Sequence, residues 1–401
     1  MAGGSVGRLA FVTPRYGEGV VGGAETAIAE AARGLAGRGY EVDLLTTCAK
    51  SHVSWANEHE PGSFFDREVT VRRFRTVSPT SRLVAAELEG RVQRREPLSG
   101  DEELAWVNSR FRAPDLQLFL GAHAASYDAI ILAPYLFWTT IYGSAVRPER
   151  TIVMPCLHDE CYAYLGVVRA MLESVAGVWF LTDPEHQLGH RVAPGMAPQH
   201  RVVGSGVQVP AHYDPAGFRA RHGLERPFVL CAGRREAGKG WPDLLAAFAS
   251  AVVGGGVPFD LVTIGGGAAE IPVGLRDQVI DLGFVASDEL PNAFAAAEAL
   301  IQPSTNESFS RILMEAWLAG TPVIANAAGE VVAWQIERSD GGLTYRDEHE
   351  LVHCLRFLAE APKAAEALAA RGREYALANY TWEPVLDEME RSLASFCTRS
   401  R

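Results

Sequence analysis

Leu9-Ala-Phe-Val-Thr13 is an apolar run of strand length, followed by the glycine-rich Gly17-Glu-Gly-Val-Val-Gly22 and by Gly23-Ala-Glu25. From about Ala24, apolar Ile28, Ala31, Ala32 and Leu35 recur at helical spacing until Gly39, and Val42 to Thr46 makes a second strand. Strand, loop, helix, strand is a βαβ unit, and a chain that repeats it builds a doubly wound parallel sheet. Further strands are predicted at Ala129–Ala133, Thr151–Met154 and Gly177–Leu181. After the Gly/Pro-punctuated segment Gly204–Pro227 a second series begins, with strands at 228–232, 259–264, 279–282, 299–302 and 322–325. Helices near 241–253, 288–297 and 310–319 separate them. The fold class is therefore α/β, with two Rossmann-like doubly wound parallel-sheet domains. Their expected bounds are 1–205 and 206–378, with a helix in 379–401 packing back on the first domain through Val385, Met389, Leu393 and Phe396.

Length and composition agree with this division. The chain has 401 residues, 48% of them apolar and 21% charged, with 39 Gly and 22 Pro. That is too long for one ordinary core, and it excludes disorder, collagen or coiled coil as a description of the whole. A net charge of −12 argues against a nucleic-acid partner, because phosphate-backbone affinity comes from clustered cations. The nearest approach to a cluster, Arg67, Arg72, Arg73, Arg75, Arg82, Arg91, Arg94 and Arg95, is interleaved with Glu68, Glu87, Glu89 and Glu96, as in a solvated mixed face. Six cysteines without framework spacing read as reduced thiols of a cytoplasmic protein. Cys156, His158 and Cys161 raise a metal question, but no second pair at zinc-site spacing follows, so no metal is expected. Met1 to Arg8 has no apolar core of a secretory leader. The uncharged stretch Ala129–Val146 is broken by Pro134 and Gly143 and reads as a strand and an aromatic loop or helix rather than a membrane span.

Three constellations carry chemistry. Gly17 to Gly22 is a literal G-x-G-x-x-G between strand and helix, a weak dinucleotide signal, since Asp43 has the ribose-acid spacing but lies inside its strand. Gly22 and Gly23, opening the helix, also suit a substrate packed on bare backbone. The strongest feature is Pro303-Ser-Thr-Asn-Glu307-Ser-Phe-Ser-Arg-Ile-Leu-Met-Glu315, where a strand ends at Gln302 and a helix starts near Ser308 or Ser310. Two carboxylates eight apart on one helix diverge by about 80°, so Glu307 belongs in the loop and Glu315 two turns along the helix, with the helix start favouring an anion between them. The third is Gly233-Arg234-Arg-Glu-Ala-Gly-Lys239-Gly240, where Arg supplies a planar fork and Lys a point charge for phosphate oxygens. Of 37 basic residues only Lys50, Lys239 and Lys363 are lysines, and one falls here.

Together with Asp281-Leu-Gly-Phe-Val285 and Tyr380-Thr-Trp-Glu383, these motifs give a chain that resembles the retaining glycosyltransferases of family 4, with the Glu-x7-Glu pattern at Glu307 and Glu315. The resemblance runs over nearly the whole chain and implies a GT-B fold, two Rossmann-like domains facing across a cleft. It implies that Arg234 and Lys239 meet the diphosphate of a UDP- or GDP-sugar, Glu315 the ribose and Glu307 the transferred sugar. The backbone around Phe284 and Val285 would meet the base, and amides of Ser310, Arg311 and Ile312 the phosphate and sugar oxygens. Gly22, Gly23, Ser308 and Phe309 complete the implied donor-binding set. His158 either faces the donor sugar or is a satisfied loop histidine beside Asp159. Such enzymes transfer with retention and without a metal, the diphosphate oxygen accepting the acceptor's proton, and need no cofactor besides the donor. Ser310 and Arg311 depart from the family's Gly and Leu: the serine either crowds the sugar or hydrogen-bonds it.

The acceptor is expected to be a hydroxyl compound, a soluble glycan or small molecule in preference to a lipid, with at most peripheral membrane contact. The segment Ser51–Arg112 and the aromatics Trp55, Phe64, Phe65, Tyr135, Phe137 and Trp138 either line the acceptor side or form core. Competing readings are a nicotinamide-dependent oxidoreductase resting on Gly17–Gly22, and a sugar-nucleotide epimerase or binding protein on the same fold.

Overall fold

The computed structural model describes residues 7–20, 22–78, 82–196, 199–253 and 257–397. Most of the Met1–Arg8 segment, Val21 of the glycine loop and the C-terminal four residues lie outside that set. The chain forms two compact units, one running to Gly206 and resuming at Val385, the other Val207–Pro384.

The first unit is built on β1 (Arg8–Val12), β2 (Glu41–Thr47), β3 (Gly62–Asp66), β4 (Val69–Phe74), β5 (Ala129–Leu132), β6 (Thr151–Val153), β7 (Gly177–Phe180) and β8 (His200–Val202). They hydrogen-bond in the order β3-β4-β2-β1-β5-β6-β7-β8, every pair parallel except the β3/β4 hairpin. The central strands are apolar on both faces, as a sheet covered on both sides requires: Ile130, Ile131 and Leu132 are fully buried. Helix Gly23–Gly37 covers β1 and β2 with the stripe Ala27, Ile28, Ala31, Ala32 and Leu35. The hairpin was not legible, because β3 is an exposed edge strand whose Phe64 and Phe65 break apolar/polar alternation.

The last helix, Trp382–Cys397, buries Val385, Met389 and Leu393 on this unit. Its fit explains two glycines. A Cβ on Gly34 would lie 2.7 Å from Leu386, and one on Gly177 would lie 1.9 Å from Phe396. Arg38 bonds Asp387 and Glu390 at 2.6 Å each, and the Trp179 indole donates to Ser392 Oγ at 2.8 Å.

The second unit carries β9 (Phe228–Ala232), β10 (Asp260–Ile264), β11 (Val279–Asp281), β12 (Ala299–Gln302), β13 (Val323–Asn326) and β14 (Gly342–Tyr345) in the order β11-β10-β9-β12-β13-β14, all parallel. This is the doubly wound order in which the chain reverses direction between its first and fourth strands, β9 and β12. Val229, Leu230, Leu300 and Ile301 are fully buried there, and truncating any one to Ala would cost about 2–5 kcal/mol.

Ala129–Val146 resolves into β5 and helix Trp138–Ser144, and among the described residues no helix is long and apolar enough to cross a membrane. The Arg-rich stretch is a mixed face: Arg72 pairs with Asp43, Arg91 with Glu102 and Arg94 with Glu96. Of the six aromatics, Trp55 stacks on Phe111 at 3.9 Å with Phe137 against its edge, Trp138 stacks on Tyr142, and Tyr135 is buried with its hydroxyl on Glu160. Phe65 alone of the six is largely exposed, at 72%.

Candidate functional site

In an open α/β sheet the ligand crevice lies beyond the carboxyl ends of the strands where the order reverses, here β9 and β12. Three backbone approaches shape it. Gly265, at φ +137°, lies so close to the loop after β9 that a Cβ would sit 2.0 Å from the Gly233 carbonyl oxygen. Gly240, at φ +72°, likewise brings that loop against Pro303, whose carbonyl would be 2.5 Å from a Cβ. Gly267 admits Arg235 in the same way. No side chain but hydrogen fits these contacts, so the loops after β9, β10 and β12 meet backbone to backbone.

Arg235, which sequence reasoning passed over, rivets three of the loops. Its guanidinium donates to Gly267 O at 2.8 and 3.1 Å and pairs with Asp281 at the end of β11 at 3.1 Å, while its amide donates to Gly266 O. Its neighbour Arg234 points outward, half exposed, and pairs with Glu236 at 3.2 Å. An apolar-to-basic boundary at a strand end marked both arginines; their opposite fates depend on the Gly265-Gly266-Gly267 loop, far away in sequence.

Lys239 and Glu307 come together. Lys239 Nζ donates to Glu307 Oε1 at 2.7 Å and to Asn306 O at 3.3 Å, joining the basic and acidic loops across the β9/β12 junction. Of the ammonium's three N–H donors, these contacts use two. Both side chains are partly exposed, 25% and 15%, so the pair lies at the surface of the crevice rather than in the core. Helix Arg311–Leu318 starts immediately beyond, placing the positive end of its dipole at the same edge. Glu315 stands one turn inside it, 3.9 Å from the Arg311 guanidinium.

Ser310 takes the left-handed conformation, φ +65°, which glycine adopts freely and serine does not. Its hydroxyl turns inward and accepts from Gln302 Nε2 at 2.8 Å. The side chain is thus held by the strand that precedes it. Phe309 is buried with its ring edge-on to Tyr380, so it offers the crevice backbone alone, and Ser308 is also buried. Ile312 is half-buried in the first turn. Phe284 is 70% exposed and lies over Gly266, where a Cβ would be 2.8 Å from its ring; Val285 beside it is half-buried.

The family described as Glycosyl transferases group 1 matches residues 226–361, the sheet and loops just described. A GDP-mannose-dependent alpha-(1-6)-phosphatidylinositol monomannoside mannosyltransferase of Mycobacterium tuberculosis is 31% identical over 264 residues, 60% of this chain and 67% of that protein. The chain belongs to the group 1 glycosyltransferases. A 2-deoxystreptamine glucosyltransferase of Streptomyces kanamyceticus is 33% identical over 184 residues, 41% of this chain, and the match spans about half of that relative, 46%. Among solved structures, sucrose-phosphate synthase from Thermosynechococcus elongatus aligns with a TM-score of 0.75 at 20% identity, covering 98% of this chain and 100% of that one. The two parallel-sheet α/β units are those of the GT-B fold.

In this group 1 glycosyltransferase the glycine loop after β1 is differently furnished. Glu25, in the first turn of helix Gly23–Gly37, forms a buried pair with Arg15, whose Nε donates at 3.0 Å and whose Nη1 reaches Lys50 O at 2.9 Å. Gly22 is extended, and its lack of a Cβ makes room for the Glu25 carboxylate, which would otherwise be 2.2 Å away; Gly23 faces open space. A pyrophosphate at this helix start would meet a carboxylate already there. Asp43, the candidate ribose acid of the nicotinamide reading, is buried and accepts from Arg8, Arg72 and the Tyr127 hydroxyl at 3.0, 3.1 and 2.6 Å. Its oxygens serve the sheet, and the dinucleotide reading loses its ligand.

His158 lies in the loop after β6, 32% exposed, with Nδ1 3.8 Å from Glu160. The loop is set by Glu185, a residue not singled out from sequence. Its oxygens accept from the amides of Leu157 and Leu181 at 2.6 Å each, and the Cys156 amide adds a third bond. Burial pushes its pKa up to about 8 against the pull of those amides. The signal was present as Thr182-x-x-Glu185, a helix-start pattern in which Thr182 Oγ1 caps the Glu185 amide at 3.2 Å, but the carboxylate's distant partners were not. Cys156 and Cys161 are free, and among the described residues neither joins His158 in a metal-sized group.

Proposed function

We propose that the chain is a retaining, metal-independent glycosyltransferase of family 4 that moves a hexose from a UDP- or GDP-sugar to a hydroxyl acceptor in the cytoplasm. The observation that carries this reading is the Lys239–Glu307 pair at the β9/β12 junction, whose contacts use two of the ammonium's three N–H donors. In the reaction the bond from sugar C1 to the diphosphate oxygen breaks, the acceptor oxygen bonds C1 on the same face, and the acceptor's proton passes to the departing diphosphate oxygen. Charge therefore develops on the diphosphate, where Lys239, Arg234 and the start of helix Arg311–Leu318 supply positive potential. Glu307, drawn against Lys239, meets the sugar hydroxyls in this reading, and Glu315 the ribose hydroxyls. Phe284 offers an exposed ring beside Gly266 for the base.

The relatives' names direct the acceptor panel: one acts on 2-deoxystreptamine and another on phosphatidylinositol monomannoside. Of these the soluble aminocyclitol fits the small-molecule acceptor favoured here. The test is release of nucleoside diphosphate from a panel of UDP- and GDP-sugars, with and without chelator, and the anomeric configuration of the product. Folded protein that binds no nucleotide sugar overturns the reading, and an inverted product overturns its retaining part.

A further inference from the structure

The helix Asp183–Val192 and the edge strand β8 bring three histidines together away from the loops described above. His186 and His190 are one turn apart on the helix, and His200 is the first residue of β8. One ring nitrogen from each lies within 4.8 Å of the others. His186 Nε2 is 2.8 Å from His200 Nδ1 and 3.1 Å from His190 Nε2. These two contacts converge on a single imidazole nitrogen, which carries either one proton or one lone pair. It can therefore make only one well-directed hydrogen bond, and the two contacts compete for it. A cation among the three nitrogens removes that conflict, since each ring then turns a lone pair to it.

We propose that His186, His190 and His200 form a binding site for a divalent transition metal of the zinc class, clamping the helix to the edge strand. The ligand set is the type that suits such ions, and bond lengths of about 2.0–2.1 Å in tetrahedral geometry put ligand nitrogens about 3.3–3.4 Å apart. The two contacts to His186, 2.8 and 3.1 Å, are shorter than that value and the third pair lies within 4.8 Å, so rotation of the rings that opens the two short contacts completes the site. Among the described residues no Cys, Asp or Glu joins the group, so a water takes the fourth position. Burial and the neighbouring rings lower the pKa of His186 and His200, favouring the neutral form that ligates. Sequence spacing missed the site because its third member comes from a strand beyond the helix. It lies near the amino end of β8, whereas the loops that follow β1, β5 and β6 leave from the carboxyl ends, and the metal-independent transfer proposed above does not use it.

The test is titration of the tag-free chain with Co²⁺, read by visible absorption, followed by displacement with Zn²⁺. One equivalent with a tetrahedral-type spectrum is expected, together with a metal-dependent rise in melting temperature. His190→Gln and His200→Gln should each weaken binding by at least the roughly 10–100-fold that loss of an outer-shell partner costs. The His349→Gln/His353→Gln double variant removes the exposed one-turn pair on helix Glu348–Glu360 and should bind like the parent. Circular dichroism without metal checks that each variant folds. His190 is exposed, so His190→Gln decides the matter if His200→Gln does not fold. No stoichiometric binding by the parent chain, or equal binding by His190→Gln, overturns the proposal.

Discussion

The two sheets share one winding order yet treat charge at their first loops in opposite ways. After β1, Arg15 and Glu25 are both buried and satisfy each other, and Asp43 is sealed by Arg8, Arg72 and Tyr127. After β9, Arg234 is half exposed and Lys239 keeps part of its surface and one donor. The same topology thus builds a closed polar knot in one unit and an anion-ready edge in the other. Position at a strand's carboxyl end is necessary for a site but does not suffice; what counts is whether the charges there are already engaged within the fold.

The comparison predicts where substitutions are felt. Glu25→Ala strands a buried guanidinium and should lower unfolding free energy by about 3–5 kcal/mol in a urea titration. Glu236→Ala, which breaks the exposed Arg234 pair, should cost under about 1 kcal/mol in the same titration. Equal costs would break the contrast. Lys239→Ala should lower kcat/KM for the nucleotide sugar by about 100–1,000-fold, some 2.7–4 kcal/mol of transition-state stabilisation. Its melting temperature should hardly move; a loss of activity that merely tracks unfolding would put Lys239 with the structural charges instead.

Glu185→Gln presents an amide N–H₂ to part of the set of three backbone donors it serves, an expected loss of about 1–3 kcal/mol by denaturation. A side effect on transfer beyond that loss of stability would mark the His158 loop as part of the reaction. The smallest change is Ser310→Gly. It relieves about 1–2 kcal/mol of left-handed strain but leaves the buried Gln302 amide without its partner and loosens the unfolded chain, so stability should shift by no more than about 1 kcal/mol. Donor selectivity measured on the same variant tells whether the inward hydroxyl shapes the crevice.

What the sequence yields follows from the range of the forces involved. β9 and β12 were legible to the residue, because a buried parallel strand is a local apolar run and the turns that bound it are local too. Lys239 and Glu307 were each singled out by a motif at a strand end, but their pairing with one another was not read from either motif. Arg235, Glu185 and the three histidines were not legible, since each acquires its role from partners that the topology supplies: Gly267 and Asp281, Leu157, and a strand beyond the helix. The hairpin β3/β4 escaped for a different reason. Its outer strand faces solvent, so no burial pattern is written into it.

The Arg235 rivet has a consequence for molecular recognition. Because one buried guanidinium ties the loops after β9, β10 and β11 together, the ring of Phe284 and the cations that follow Gly233 cannot wander independently. A ligand long enough to touch both meets a surface already ordered at each end, and grasping one end does not cost it the entropy of assembling the other. In such a receptor the two halves of a ligand contribute additively, and trimming either half weakens binding without disordering the grip on what remains.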